Sequence, residues 1–217
     1  MRNNKLISLL LLAIVILAFA PKDEKHLLLW NENRKLTWDD FQGKRNERII
    51  SESNIPQDQV IQEGNRKIVI HTETDAYCYH QLNFSSRYKD DTIIFDVKNM
   101  FDKSKSWKNS ESAYILNHEQ RHFDIAEVYA RKFRKYLTDN VNTFNSVTQN
   151  KLFNDFFEEE KVAQKKYDTE TNHSINEGEQ MRYDIEIDSL LNEYSAYTDF
   201  RVKKYAPRKP VYKRSRR

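Results

Sequence analysis

The chain has 217 residues, the size of one ordinary domain with short appendages. Charged residues make up 32% and hydrophobic residues 38%, which excludes a protein with several membrane spans but leaves enough apolar residues for a core. The single Cys78 excludes an intrachain disulfide framework and a cysteine-based metal site. We therefore expect a compact soluble domain that is mixed or rich in helix.

The first twenty residues have the composition of an export signal. Arg2 and Lys5 precede an uncharged run that ends in the small-x-small pattern Ala18-Phe19-Ala20. As a helix this run is about 22 Å long, shorter than the roughly 30 Å hydrocarbon core of a membrane. Residues 1–20 are therefore predicted to be a signal peptide, or an uncleaved N-terminal anchor because Pro21 would follow the cut. The predicted location is the periplasm or the cell exterior.

The C-terminal end is strongly basic. Residues 201–217 contain nine Lys or Arg and no acidic residue, so the rest of the chain is acidic overall. We predict a solvated, disordered tail there, with weak contact to a membrane or a cell-wall polymer as the functional alternative. Nucleic acid is not an expected partner of an exported and otherwise acidic protein.

Residues 21–200 are predicted to form one α+β domain, a small mixed or antiparallel sheet followed by helices. Residues 44–66 are polar and are expected to be irregular. Period-two alternation and aromatic runs predict strands at 67–74, 76–84 and 92–97, the first two paired with each other. Helical patterns with candidate caps at Asn109 or Ser110 predict helices at about 110–137, 147–166 and 177–197.

The first predicted helix carries a carboxylate on its apolar side. At about 100° per residue, Glu119 lies within a stripe formed by Ile115, Leu116, Phe123 and Ala126. A carboxylate there loses hydration, which is costly unless a cation or a hydrogen-bond donor compensates. The opposite side is predicted to face water and carries Asn117, Gln120, Asp124, Arg131 and Lys135.

Two histidines flank this carboxylate in the sequence His118-Glu119-Gln120-Arg121-His122, the HExxH pattern of zinc hydrolases. Imidazoles four residues apart on a helix can reach one tetrahedral ion. The pattern predicts that His118 and His122 bind Zn²⁺ and that Glu119 acts as the general base for a water molecule. The alternative is a structural helix with two hydrogen-bonded histidines.

A zinc site of this type needs a third protein ligand. Val128 stands where the metzincin pattern has its third histidine, so the ligand must come from elsewhere. The first candidate is His173, the only histidine after the motif. Glu193, in a gluzincin-like setting, is a rival, and Asp168 and Glu170 also stay open. Ordinary surface or core roles are expected for the other histidines, His26, His71 and His80.

Several segments together resemble a bacterial family catalogued as domain of unknown function 922, described as secreted zinc-dependent proteases. The resemblance spans about residues 28–195 and is carried by Arg34–Gly43, Ser106-Trp107, Leu116–Ile125, Tyr167–His173 and Gln180. It implies a zincin-like metallohydrolase that uses His118, Glu119, His122 and His173. Arg121, Ser174 and Tyr183 depart from the residues usual in the family.

We therefore predict an exported zincin-like zinc metallopeptidase that acts on proteins or peptides, with the strands at 67–97 available to dock an extended substrate. One alternative is a zinc amidase or peptidase that acts on cell-wall peptide. A second alternative, from another class, is a non-catalytic exported binding domain with a structural metal or none.

Overall fold

A computed structural model of the chain describes residues 25–45, 59–63, 66–70, 75–140 and 146–205. These residues form an α+β fold, as the sequence predicts. The strands are β1 Leu27–Leu29, β2 Gln59–Glu63, β3 Arg66–Ile70, β4 Ala76–Tyr77, β5 His80–Lys89, β6 Thr92–Asp102, β7 Trp107–Lys108 and β8 Arg201–Tyr205. The helices are α1 Ala113–Asp139, α2 Ser146–Thr171 and α3 Glu177–Glu193.

The predicted signal at residues 1–20 lies outside the described residues, and so does His71. Within the described ranges, each helix is too short or too polar to cross a membrane.

The main sheet is antiparallel and is built around β6. Strand β5 pairs with β6 along its whole length, from His80 opposite Phe101 to Lys89 opposite Thr92. On the other side of β6, β1 pairs with its last residues and β8 with its first residues. Because β6 has neighbours on both sides and a helix above it, its side chains are mostly buried.

The strand pairing differs from the prediction in the region before this sheet. Gln59–Glu63, expected to be irregular, forms β2 and pairs with β3. Among the described strands β3 has no second partner, so it does not pair with the aromatic run that follows it. That run instead divides into β4, which pairs with β7, and β5, which pairs with β6. Period-two patterns identify a strand but not its partner, and here the partners are distant in sequence.

Helix α1 begins later than its predicted caps. The backbone N–H groups of Asn109 and Ser110 donate to the Asp75 carbonyl, 2.7 and 3.2 Å away. This contact continues the β4–β7 pairing, and the N-cap is therefore Ser112, whose hydroxyl accepts from the Tyr114 N–H.

The hydrophobic core lies between α1 and the sheet. One cluster of buried apolar side chains is formed by Leu82, Ile93, Phe95, Val97, Ala126, Ala130, Phe133 and Leu137. From α2, Phe153 and Phe156 pack against Phe133 at ring-centroid distances of 5.6 and 5.2 Å. This packing fixes α1 and α2 relative to each other, so side chains that face the gap between them have defined positions.

Two segments that are distant in sequence meet at Gly43. Its N–H donates to the Ser106 carbonyl at 2.7 Å, and a Cβ atom at this position would lie 2.7 Å from Ser104 O. Only glycine allows the two backbones to approach so closely. The contact holds the N-terminal segment against the turn that precedes β7.

The side of α1 that was predicted to face water is mostly covered, and that prediction is wrong. Gln120, Asp124 and Arg131 are buried, although Lys135 is exposed. The N-terminal segment lies across them: Trp30 Nε1 donates to Asp124 Oδ1 at 2.8 Å, and Leu36 N donates to Gln120 Oε1 at 2.7 Å. The polar residues on this side therefore bind another segment instead of water.

The prediction of a disordered tail at residues 201–217 is wrong for its first five residues. Arg201–Tyr205 forms β8, and Arg201 Nε donates to Asp96 Oδ1 at 2.6 Å. Residues 206–217 lie outside the described part of the chain.

Candidate metal centre

The residues of the HExxH pattern line a cavity between α1, α2 and the β4–β5 segment. The cavity has a volume of about 370 Å³, which is within the range of small-molecule and peptide side-chain sites. Helix α1 contributes His118, Glu119 and His122, and α2 contributes Asp168 from its last turn. The turn that follows α2 adds His173.

Three ligand-type atoms come together at this cavity. His118 Nε2 and His122 Nε2 are 3.3 Å apart, and Asp168 Oδ1 lies 3.3 and 2.9 Å from them. Ligand atoms about 2.0–2.1 Å from a tetrahedral zinc ion are roughly 3.3 Å from one another. The spacing and the chemistry of this donor set therefore fit one zinc ion.

The far nitrogens of both imidazoles are held by glutamine side chains. His118 Nδ1 lies 2.9 Å from Gln180 Oε1, and His122 Nδ1 lies 2.6 Å from Gln164 Oε1. An amide oxygen only accepts hydrogen bonds, so each Nδ1 carries a hydrogen and donates. In a neutral ring this leaves the lone pair on Nε2, the atom that faces the Asp168 carboxylate.

His122 and Asp168 shift each other's pKa at this centre. Burial lowers the pKa of His122, but the Asp168 carboxylate outweighs it and raises that pKa to about 9. Burial likewise raises the pKa of Asp168, but the two imidazoles outweigh it and lower that pKa well below its usual range. Without a metal ion, the proton on His122 supplies the positive charge that this carboxylate requires.

Glu119 is buried on the cavity side of α1, with 5% of its surface exposed, in agreement with its place on the apolar stripe. Burial raises the pKa of its carboxyl group, while His122 and His118 act in the opposite direction. The Cys78 backbone also lowers this pKa. A buried carboxyl group in this setting can take up a proton beside the two imidazoles.

The four candidates for a third ligand fall into two groups. Asp168 contacts both imidazoles, and His173 Nδ1 lies 3.6 Å from Asp168 Oδ1. Glu193 ends α3 at an exposed position. Glu170 faces away from the cavity, where its carboxylate accepts from Arg182 and from the Tyr183 hydroxyl.

His173 reaches the centre from a tight turn. Its φ angle is 51°, and its neighbours Asn172 and Ser174 have φ angles of 47° and 72°, so three successive residues adopt the left-handed region. Such a conformation costs free energy for residues other than glycine, and its presence beside a site suggests a functional constraint. The turn brings His173 to the cavity predicted for it but places Asp168 nearer to the two histidines.

Sequence reasoning missed most of the residues that support the centre. His80, expected to be an ordinary histidine, lines the cavity and its Nε2 lies 2.9 Å from Glu160 Oε1. Gln164 and Gln180 hold the imidazoles. A helical spacing signal was present, because Glu160, Gln164 and Asp168 follow one another at intervals of four on a single face of α2.

Comparison with known proteins identifies a family. The profile of the family described as "Bacterial protein of unknown function (DUF922)" matches residues 63–174, slightly more than half of the chain. The matched segment contains His118, Glu119, His122, Asp168 and His173. Searches of curated proteins and of solved structures found no significant match.

Proposed function

We propose that this chain, which belongs to the DUF922 family, is a zinc-dependent peptidase that hydrolyses peptide bonds in protein or peptide substrates. The observation that carries the proposal is the convergence of two imidazole Nε2 atoms and a carboxylate oxygen within 2.9–3.3 Å, with Glu119 beside them in the same cavity. A structural metal site would have no use for Glu119, which is not needed as a ligand.

His118 and His122 would hold the zinc ion through Nε2. The third ligand is either His173, which the sequence favours, or Asp168, which the spacing in the structure favours. Three protein ligands leave a coordination position open, as catalytic zinc sites do. Zinc bound there would supply a Lewis acid that polarises a substrate carbonyl and lowers the pKa of a water molecule.

Glu119 performs the proton transfer in this proposal. Its carboxylate accepts a proton from the attacking water and later gives a proton to the leaving amine. The burial that raises its pKa brings the carboxyl group nearer to the range in which it can both take and release a proton at neutral pH.

The proposal is tested with the zinc content of purified protein and the hydrolysis of a casein substrate by wild type and Glu119→Gln. We expect about one zinc per chain in both, and turnover lower by about 10² or more in the variant, since it loses the general base. Glu111→Gln is the matched control, because Glu111 is exposed just before α1. A wild type without zinc, or a fully active Glu119→Gln, would contradict the proposal.

Substitutions of Asp168 and His173 show which of them is the third zinc ligand. If Asp168 binds zinc, Asp168→Asn should weaken zinc binding many-fold while His173→Ala keeps most of it, and the reverse is expected if His173 binds. Zinc affinity is measured by competition with a chelator. Zinc affinity equal to that of wild type in both variants would show that neither Asp168 nor His173 is a ligand.

We also propose that the protein is exported, on the basis of the signal-like composition of residues 1–20. Cell-wall peptide is then an accessible alternative substrate, and parallel assays on purified peptidoglycan and on casein separate the two substrates.

A further inference from the structure

Both histidines of the candidate centre are hydrogen-bonded to a glutamine, and each glutamine is hydrogen-bonded to a carboxylate four residues away on its own helix. Glu160 and Gln164 form this pair on α2, and Gln180 and Asp184 form it on α3. We infer that Glu160 is a positioning residue for metal binding: its carboxylate fixes the Gln164 amide, and this amide fixes the tautomer of His122. The inference rests on the proposed zinc site.

The orientation of the Gln164 amide is determined by its neighbours. Its Nε2 lies 2.6 Å from Glu160 Oε1 and 2.9 Å from the backbone carbonyl oxygen of His122. Both partners accept hydrogen bonds, so the NH₂ group must face them. A flipped amide would place its oxygen against two acceptors. The amide oxygen is therefore the atom that faces His122 Nδ1, at 2.6 Å.

Glu160 is suited to hold this arrangement because it is a buried carboxylate with only 1% of its surface exposed. Its second partner is His80, whose Nε2 lies 2.9 Å from Oε1. Burial would raise the pKa of Glu160, but His80 and Gln164 outweigh it and the pKa is lowered. The group is thus an ionised acceptor at neutral pH.

A hydrogen on His122 Nδ1 leaves the lone pair of the neutral ring on Nε2, the atom that faces Asp168 and His118. If the Gln164 amide could turn, its NH₂ group would donate to Nδ1 and move the ring hydrogen to Nε2. That tautomer cannot bind a metal through Nε2. Partners that orient a metal-binding histidine typically change the metal affinity about 10–100-fold when they are removed.

The pair on α3 works with a different set of partners. Gln180 Nε2 donates to Asp184 Oδ1 at 3.0 Å, while the Tyr167 hydroxyl donates to Gln180 Oε1 at 2.8 Å. The side chain of Asp184 is 28% exposed and also accepts from Asn117 and Arg121. Because Tyr167 provides a second restraint and Asp184 is partly hydrated, we expect His118 to depend less on Asp184 than His122 depends on Glu160.

The test compares two substitutions at one position. Glu160→Met has a similar volume but no acceptor, and it should weaken zinc binding about 10–100-fold. Glu160→Gln keeps an acceptor oxygen and should stay within about threefold of wild type, since only an acceptor is required. The zinc affinity of the full chain is measured by chelator competition, with thermal unfolding of the metal-free proteins as a check on folding. Glu159→Met is the control, because Glu159 is exposed on the same turn.

A second variant keeps the inference testable if Glu160→Met does not fold. Gln164→Met removes the amide directly, at a partly buried position, and should lose a similar factor in zinc affinity. In the double variant the Glu160 substitution should cost little more, because it acts through Gln164. Unchanged affinity in Glu160→Met or Gln164→Met would overturn the inference, as would fully additive losses.

These affinities do not depend on turnover. A wild type that binds zinc but hydrolyses no peptide would overturn the proposed enzymatic function while the ratios between variants still decide the role of Glu160. A wild type that binds no zinc would overturn both.

Discussion

The two halves of α1 both bury ionisable side chains, but they balance the charges differently. In the C-terminal half, Glu127, Arg131 and Arg134 are almost fully buried. Arg134 Nη1 lies 2.7 Å from Glu127 Oε1, and Arg134 Nη2 donates to the Val97 carbonyl at 2.9 Å. In the N-terminal half, three side chains face a cavity: His118, Glu119 and His122. The carboxylate that pairs with His122 there is Asp168, which comes from α2.

The difference is the one expected between a structural ion-pair group and the proposed metal site. Glu127 pairs with Arg131 and Arg134, and Arg134 also donates to the Val97 carbonyl, so this group joins α1 to β6. Burial raises the pKa of Glu127, and Arg131 Nη2 is a buried atom without a hydrogen-bond partner. The N-terminal group holds two carboxylates and two imidazoles whose charge balance changes with each proton. A bound cation would stabilise a buried group with this composition, and strongly shifted pKa values beside a cavity are typical of binding sites.

The largest effect on stability is expected from breaking the ion pairs in the C-terminal half of α1. Glu127→Ala would leave Arg131 and Arg134 buried without a counter-charge, and we expect a loss of about 3–5 kcal/mol in the free energy of unfolding. Urea denaturation measures the loss, and the zinc affinity of the remaining folded protein should be unchanged. Glu127→Gln, which keeps hydrogen-bond acceptance, should lose less. A loss below about 1 kcal/mol for Glu127→Ala would show that these charges are not balanced by pairing.

A change of pH is expected to have a smaller effect on stability, through the His122–Asp168 pair at the N-terminal half of α1. The pKa of His122 is raised to about 9 in the metal-free fold, above about 6.5 in the unfolded chain, so its pairing with Asp168 stabilises fully below about pH 6.5. This stabilisation, about 3 kcal/mol, should be lost as the pH rises through about 9. Thermal unfolding of metal-free protein between pH 6 and 10 measures it.

Asp168→Asn is the control for this titration, because it removes the partner that raises the pKa of His122 and should flatten the curve. The same proton competes with zinc, so the apparent zinc affinity should weaken as the pH falls below about 9. A metal-free protein that becomes more stable between pH 7 and 10 would contradict the pairing.

Glu119→Gln should have little effect on stability, in contrast to Glu127→Ala. Burial raises the pKa of Glu119, so the ionised carboxylate is disfavoured in the fold and a neutral amide removes that cost. We expect a metal-free variant within about 1 kcal/mol of wild type or more stable at pH 7. Urea denaturation of both proteins decides this. A large destabilisation would assign Glu119 a structural role.

Local patterns predicted the α+β class and the burial of Glu119, because helical periodicity is a property of neighbouring residues. They failed for Gln120 and Asp124. These residues are covered by Trp30 and Leu36, which are more than eighty positions away, and no periodicity records such a contact. The family resemblance indicated the segment with Asp168 and His173, but only the fold shows which of them is nearer to His122.

The supporting residues were harder to predict for a related reason. Gln164 acquires its role from His122 on α1 and Glu160 on α2, and a glutamine in a polar helix has no distinctive pattern. The boundary of the basic tail failed differently. Arg201 was counted as part of a charge run, whereas its partner Asp96 lies in the middle of the main sheet.

The smallest effect is expected from an arginine–carboxylate pair at the surface. Asp96 accepts from both Arg201 and Arg87, and the side chain of Arg201 is 37% exposed, whereas that of Arg134 is 2% exposed. Water can replace the partner of an exposed charge, so Arg201→Ala should change the melting temperature by no more than about 2 °C. Arg87→Ala is the matched control and should behave in the same way. A loss as large as that of Glu127→Ala would mean that pairing, and not burial, determines the cost of breaking a charge pair in this fold.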